Sequence, residues 1–191
     1  MKLWAGIVRR LEIGPGKRRI QGFETVNAVR TSATDHVADA RALPFPDCTF
    51  GVVYASHVIE HLPWYETGAV LAEWVRVLKP DGALEVWTVD AFKVAQAIVA
   101  YETTGAFPEH DGWSRHGAGA NPYLWFAGRI FAYAKDDGED SLNWHRALFT
   151  PRHLAQCLER AGLGDVRRME RSQVRGHDHG WINLGMRGVR T

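Results

Sequence analysis

Val8-Arg-Arg-Leu-Glu-Ile-Gly-Pro-Gly16 is a short, largely apolar run that ends in two closely spaced glycines. This pattern predicts a buried strand that breaks into a turn. A glycine has no Cβ and tolerates positive φ and the close approach of another molecule, while the ring of Pro15 fixes φ and stiffens the turn. The stretch therefore predicts a loop whose backbone lies against a ligand, directly after the first strand.

The composition is typical of one globular domain. The chain has 191 residues, 46% of them hydrophobic, which is enough for a sizeable core. Its 23 basic and 22 acidic residues give a net charge of +1, and no basic run is longer than three residues. This balance disfavours long nucleic acid or an anionic membrane as a partner.

The cysteines and the absence of targeting signals predict a cytoplasmic protein. Cys48 and Cys157 lie far apart and lack the spacing of metal ligands, which is typical of free thiols in a reducing compartment. We find no long apolar span and no lipidation motif in the sequence. The oligomeric state is left open.

Strand and helix patterns alternate along the chain. After the first strand, β-branched or apolar runs predict strands over 24–29, 35–40, 50–56 and 83–89, and a final antiparallel pair over 165–170 and 181–189. Helical spacing predicts helices over 64–78, 91–101 and 150–161. This alternation favours an open, mostly parallel α/β sheet with helices on both faces. Ligands bind such sheets beyond the carboxyl ends of the strands.

Residues 104–144 differ from the rest of the chain, because glycines, aromatics and histidines mix there with an acidic run and the periodicity fades. We interpret them as an inserted segment that covers the site, partly helical from about Pro122 to Tyr133. Nearby aromatic residues are candidates either for a pocket wall or for the core of the insert: Trp64, Trp113, Tyr123, Trp125 and Trp144.

Five motifs in order carry a resemblance to a known family: Leu11–Gly16, Ala38–Phe45, Tyr54–His61, Val77–Gly82 and His145–Thr150. The chain resembles the class I SAM-dependent methyltransferases, in particular small bacterial members of the methyltransferase type 11 kind associated with polysaccharide or secondary-metabolite pathways. The resemblance covers most of the chain and is weakest over 104–144. It implies a Rossmann-like single domain over 1–191 with S-adenosyl-L-methionine (SAM) as cofactor.

The resemblance assigns the methionine end of SAM to the glycine turn. Gly14, Pro15 and Gly16 would offer backbone groups to it, with Glu12 organising the loop or receiving the ammonium through water. Asn27 stands where the family has an acid that binds the ribose. Its amide can form hydrogen bonds with the ribose hydroxyls, but it lacks the negative charge that strengthens the hydrogen bonds of a carboxylate.

The remaining cofactor contacts are also implied by the resemblance. Asp39 matches the acid beside the adenine, and Ala40 with the turn Leu43–Phe45 would supply apolar surface for the purine. Ser56 and His57 match the end of the fourth strand, where sulfonium and acceptor meet.

Two other site types fit the sequence less well. A dinucleotide fingerprint needs a third glycine where Arg19 stands. His57-Val-Ile-Glu-His61 spells the H-x-x-E-H pattern of some zinc peptidases, but that chemistry needs one long helix, and Pro63 follows after two more residues. We expect no metal, and we interpret His177-Asp-His179 as a polar turn.

The expected reaction is methyl transfer to oxygen or nitrogen of a small molecule or glycan precursor, with a small-molecule or saccharide acceptor as the partner. Alignment does most of the work in such a displacement, and a base helps if the acceptor is a hydroxyl. His61, His145 and His57 are the candidates, each equally well explained as a structural histidine. Two alternatives stay open: a degenerate SAM-binding domain, and SAM chemistry without methyl transfer.

Overall fold

The computed structural model describes residues 8–106, 121–131 and 141–191, and these residues form a seven-stranded sheet with four α-helices. The strands are β1 (Arg10–Ile13), β2 (Glu24–Asn27), β3 (His36–Val37), β4 (Phe50–Ser56), β5 (Leu78–Val89), β6 (Leu163–Met169) and β7 (Asn183–Arg190). The helices are α1 (Thr67–Arg76), α2 (Ala91–Thr104), α3 (Pro122–Phe131) and α4 (Pro151–Arg160).

The sheet has the order β3-β2-β1-β4-β5-β7-β6. Strands β1 to β5 are parallel to one another, whereas β7 is antiparallel to both β5 and β6. This confirms the expected open, mostly parallel sheet with an antiparallel pair at its C-terminal edge. It brings the carboxyl ends of β1, β2 and β4 together at one side of the sheet.

Most of the core lies on one face of the sheet. Alternate residues of the central strands, such as Leu11, Val53, Leu84 and Leu184, are fully buried there and pack with side chains of α1 and α4. Helix α4 begins as expected, because the hydroxyl of Thr150 accepts a hydrogen bond from the His153 N–H at its N-terminus.

The opposite face differs from the expectation of helices on both faces. Its apolar cluster contains Phe23, Tyr54, Trp87 and Met169, and the hydrophobic side chains packed against that cluster come from strands and loops. The reason lies in the short connection between β1 and β2, which is too short for the helix that would cover this face. The described residues 14–23 contain no helix.

Element boundaries were predicted less well than element types. The third strand shrinks to two residues, and α1 ends at Arg76 instead of Leu78. Strand β5 starts at Leu78 rather than at Ala83, with a register shift against β4. Residues 79–81 are exposed on this irregular stretch, so the Lys-Pro-Asp-Gly sequence interrupts the ladder without ending the strand.

The inserted segment is described only in part, since 107–120 and 132–140 lie outside the described residues and Trp113 with them. Helix α3 confirms the helical prediction up to Phe131. Trp125 and Phe126 of α3 pack with Val94 and Ala97 of α2 in a second apolar cluster. None of the described helices has the length and apolar character needed to cross a bilayer.

Candidate functional site

A cavity of about 440 Å³ lies at the carboxyl ends of β1, β2 and β4. Three parts of the chain line it: the glycine loop with the ends of β2 and β3, the turn 57–63 that follows β4, and residues 142, 143 and 146. The volume is in the range of small-molecule sites. The cavity therefore occupies the place where the topology predicts a ligand.

Gly14 and Gly16 both require glycine, for different reasons. Both have positive φ, +71° and +60°. A Cβ on Gly14 would lie 2.4 Å from Cγ2 of Val58, whereas one on Gly16 would meet no atom within 4 Å. Gly14 thus lets the loop close onto the turn after β4, and Gly16 keeps a bare backbone at the cavity.

Two acidic residues, Glu12 and Asp35, hold the glycine loop in place. The buried carboxylate of Glu12 accepts a hydrogen bond of 2.7 Å from the Ile20 N–H, and burial raises the pKa of this acid. Arg19 donates two hydrogen bonds to Asp35 and one to the Phe23 carbonyl. Arg19, which replaces the third glycine of a dinucleotide fingerprint, therefore fastens the shortened loop to the start of β3.

Asn27, Asp39 and Ala40 line the cavity on the side of β2 and β3, as predicted. Asp39 is held by Arg41, whose side chain donates to both of its carboxylate oxygens at 2.6–3.0 Å. The hydrogen bonds from Arg41 lower the pKa of Asp39, so the acid is an anion at neutral pH. The expected apolar surface from Leu43 and Phe45 is wrong, because both side chains are buried in the core.

His57 follows β4 in a left-handed conformation, with φ of +54°. Its Nε2 lies 3.0 Å from Oδ1 of Asn183, and Nδ2 of Asn183 donates to Asp178, which fixes the orientation of the amide. Its Nδ1 lies 2.9 Å from Oε1 of Glu60. Both ring nitrogens of His57 therefore lie close to oxygen atoms of the protein, which makes His57 the least accessible of the three candidate bases.

Glu60 is only 1% exposed and sits between three imidazoles. Burial by itself raises the pKa of a carboxylic acid, but the neighbouring His57, His61 and His145 outweigh it and lower the pKa of Glu60 to about 2. Burial has the opposite effect on His145, whose pKa is lowered, so that this imidazole is neutral. The cluster therefore combines a buried anion with at least one neutral imidazole.

His61 and His145 face each other with ring centroids 5.0 Å apart. His61 lies on the short 3-10 turn Ile59–His61, which ends before an extended Leu62, so the long helix of a zinc peptidase is absent there. Only His61 of this pair lines the cavity. His145 lies behind it, with Nδ1 at 3.1 Å from the Arg129 carbonyl.

Several predicted site residues are not among those that line the cavity: Glu12, Pro15, Ser56 and His145. Pro15 is a buried residue of the loop, and Ser56 is the half-buried last residue of β4. The aromatic wall is not found in the described residues: Trp125 is fully buried against Trp181, and the exposed Trp64 and Tyr123 lie elsewhere.

Residues 15–86 match the family model described as a methyltransferase domain. That range contains Gly16, Asn27, Asp39 and the turn with His61, all of which line the cavity. These residues therefore carry a methyltransferase domain, and the fold around them is the one that SAM-dependent methyltransferases of known structure share.

Solved structures of methyltransferases share the fold of this chain at low sequence identity. The 1,6-didemethyltoxoflavin-N1-methyltransferase of Burkholderia thailandensis, crystallised with 1,6-didemethyltoxoflavin and S-adenosylhomocysteine, is 16% identical, with a TM-score of 0.54, over 96% of this chain and 71% of that one. A SAM-dependent methyltransferase from Archaeoglobus fulgidus is 14% identical, with a TM-score of 0.55, over 97% and 87%.

The carbon methyltransferase CurJ also shares the fold, at 12% identity and a TM-score of 0.52 over 96% of this chain and 48% of that one. No match to a curated protein reaches significance. Since nitrogen and carbon methyltransferases share this architecture, the fold does not by itself select an acceptor atom.

Sequence reasoning missed four polar residues around the methyltransferase cavity. Lys17 and Arg146 line it, Glu60 holds the histidines, and Asn183 orients His57. A signal existed only for Glu60, which belongs to the His57–His61 motif. Asn183 lies on the last strand, and only the antiparallel addition of β7 beside β5 brings it to His57.

Proposed function

We propose that the cavity binds SAM between the glycine loop and Asp39, and that the domain transfers its methyl group to an oxygen or nitrogen of a small molecule or glycan precursor. One observation carries the proposal. A bare glycine backbone, an amide and an anionic carboxylate stand at successive strand ends and line one cavity. These three groups match the zwitterionic tail, the ribose diol and the exocyclic amine of the cofactor.

The residues present fit each part of the cofactor. Gly16 leaves open space where any other residue would place a Cβ, and the Lys17 ammonium suits the carboxylate of the methionine end. Asn27 has hydrogen-bonding groups for the ribose hydroxyls. Asp39, already anionic through Arg41, would accept a hydrogen bond from the adenine amine. Glu12 serves the cofactor indirectly, by holding the loop.

The acceptor is proposed to enter from the side of the inserted segment. Leu142 and Asn143, at the end of 104–144, line the cavity together with His61 and Arg146. This contact supports the interpretation of 104–144 as an acceptor-side insert within one domain over 1–191. The near-zero net charge and the size of the cavity support a small-molecule or saccharide acceptor over nucleic acid or a membrane.

The bound cofactor supplies a methyl group activated by a positively charged sulfur. SAM held by Gly16, Asn27 and Asp39 would supply this methyl group to the acceptor oxygen or nitrogen, with the carbon–sulfur electron pair left on sulfur. The walls of the cavity align the reactants and exclude water. We propose that His61 takes up the proton that the acceptor group loses. Among the predicted bases, His145 does not line the cavity, and His57 lines it but has both ring nitrogens against oxygen atoms.

Calorimetry with a matched pair of glycine variants tests cofactor binding. Gly16→Ala and Gly22→Ala introduce the same backbone strain, since both glycines have positive φ and open space around them, but only Gly16 lines the cavity. We expect wild type and Gly22→Ala to bind SAM and S-adenosylhomocysteine equally, and Gly16→Ala to bind at least tenfold more weakly. Absence of binding by the wild-type chain would overturn the proposal.

Detection of a methylated product separates this function from a degenerate SAM-binding domain. Incubation with labelled SAM and pools of hydroxylated or amino small molecules should yield a labelled product with the wild type. His61→Ala should bind SAM normally and lose rate by about 10²- to 10⁴-fold, the usual contribution of a general base. An unchanged rate would remove His61 from the mechanism.

A further inference from the structure

We propose that Glu60, His61 and His145 form a binding site for one divalent transition-metal ion, with Zn²⁺ as the best fit. One carboxylate oxygen and one nitrogen from each imidazole lie within 4.8 Å of one another. The site borders the cavity, since His61 belongs to both. It goes beyond methyl transfer, because ion binding there requires neither SAM nor an acceptor.

The carboxylate of Glu60 provides the first argument. It is 1% exposed, and within the described part of the chain neither of its oxygens has a partner with hydrogen-bond geometry. Oε1 lies 2.9 Å from Nδ1 of His57, close enough for charge pairing but poorly aligned. A buried carboxylate without donors is costly, so the lone pairs of Oε2 are well suited to a cation.

The two imidazoles provide the second argument. Nδ1 of His145 lies 3.1 Å from the Arg129 carbonyl, and Nδ1 of His61 lies 3.4 Å from the Trp144 carbonyl. A carbonyl can only accept, so Nδ1 of each imidazole is the donor in these contacts and Nε2 is the atom left to bind an ion. Histidines that bind metals commonly donate their other ring N–H to a backbone carbonyl in this manner.

The donor set selects the class of ion. Two imidazoles and one carboxylate suit Zn²⁺ and its first-row neighbours, whereas Mg²⁺ and Ca²⁺ prefer oxygen ligands. Three protein ligands leave one coordination position for water or substrate. Because the ion would use the lone pair of His61, ion and acceptor proton compete for the same nitrogen.

This proposal revises the expectation of no metal. That expectation rested on the H-x-x-E-H pattern, which needs a long helix to place both of its histidines, and the helix is indeed missing. The proposed site uses only the Glu60-His61 half of the motif. Its third ligand, His145, is placed by the backbone of residues 146 and 147, whose N–H groups donate to the Glu60 carbonyl.

Titration of the metal-stripped 191-residue chain with ZnCl₂ at neutral pH tests the site. We expect one Zn²⁺ per chain by calorimetry and elemental analysis, and no comparable binding of MgCl₂. Glu60→Gln and His145→Ala should each weaken Zn²⁺ binding more than tenfold. His177→Ala, which changes an exposed histidine outside the proposed site, should leave the affinity unchanged.

Cobalt provides a readout of the ligands themselves. Co²⁺ bound by the wild type should give visible absorption bands that are lost in His61→Ala, a half-buried position chosen in case the Glu60 variant fails to fold. Binding without defined stoichiometry, or Zn²⁺ affinity that is the same in His61→Ala and His145→Ala as in the wild type, would overturn the metal site. Neither result would affect cofactor binding, which calorimetry with SAM measures separately.

Discussion

The glycine loop and the histidine turn face each other across one cavity but are held in place by different means. The loop, residues 14–20, is fastened by charged and polar contacts to its neighbours in sequence, such as Glu12 with Ile20 and Arg19 with Asp35. The histidine turn, residues 57–61, depends on groups far along the chain, namely His145, His179 and Asn183. The glycine loop, which is the proposed cofactor wall, is thus held by contacts that are local in sequence. The histidine turn, which is the proposed acceptor wall, forms only after the whole sheet has formed.

The largest predicted effect on stability comes from a side chain added between the glycine loop and the histidine turn. In Gly14→Ala the new Cβ would lie 2.4 Å from Val58, and φ at this position is +71°. Overpacking costs about 1–3 kcal/mol and the left-handed backbone about 1–2 kcal/mol more. We expect chemical denaturation to show a loss of roughly 2–5 kcal/mol in the free energy of unfolding, together with loss of SAM binding.

Gly22→Ala is the control for this variant, because it has the backbone strain without the clash. It should lose only the strain component and still bind SAM. Equal losses in the two variants would show that the loop does not rest on Val58.

A smaller effect, on SAM affinity, is expected from a change at Asp39 in the proposed cofactor wall. Asp39→Ala should weaken SAM binding by about 1–3 kcal/mol, the scale of a lost charge-assisted hydrogen bond, as measured by calorimetry. Asp47→Ala is the matched control, since Asp47 also pairs with an arginine, Arg76, but lies outside the cavity. An unchanged affinity in Asp39→Ala would mean that the adenine lies elsewhere.

The smallest predicted effect is the loss of folding stability that His179, beside the histidine turn, causes at acidic pH. Burial, with the nearby His57 and His177, lowers the pKa of His179 to about 3, whereas in the unfolded chain it is about 6.5. Between these values the unfolded chain binds the extra proton, so His179 costs stability progressively as the pH falls below 6.5.

Replacing His179 should therefore flatten the acid side of the stability curve. Between pH 6.5 and 5.5 the free energy of unfolding should fall by up to about 1 kcal/mol less in His179→Gln than in the wild type, as measured by urea denaturation. His177→Gln, at an exposed position, should follow the wild type. Parallel curves for wild type and His179→Gln would show that His179 is not held neutral.

The difference between the two walls also explains what the sequence could predict. Gly14, Gly16, Asn27 and Asp39 follow strands whose order can be inferred from hydrophobic runs, and all four line the cavity. Strand β4 was predicted to the residue, because a continuous apolar run between polar flanks has few alternatives. The glycine loop needed no knowledge of the tertiary structure.

The acceptor wall could not be obtained in the same way. His61 and His145 were candidates because histidine suits a base and both lie in motifs that resemble the family. Nothing in the pattern indicated that Glu60 would be buried between them or that Asn183 would fix His57. Aromatic residues were equally ambiguous, since Trp125 fits a core and a pocket wall alike until its contact with Trp181 is known. These contacts join residues that are far apart in the sequence, and they depend on the antiparallel pairing of β7 with β5.

A crystal structure of the chain with S-adenosylhomocysteine tests the central claim most directly, because it shows which groups the two walls present to one ligand. We expect the homocysteine end on Gly14–Gly16, the adenine beside Asp39, and the sulfur directed towards His61 and the cavity side of residues 142–146. A ligand bound outside this cavity, or bound within it with the adenine on the histidine turn, would contradict the account.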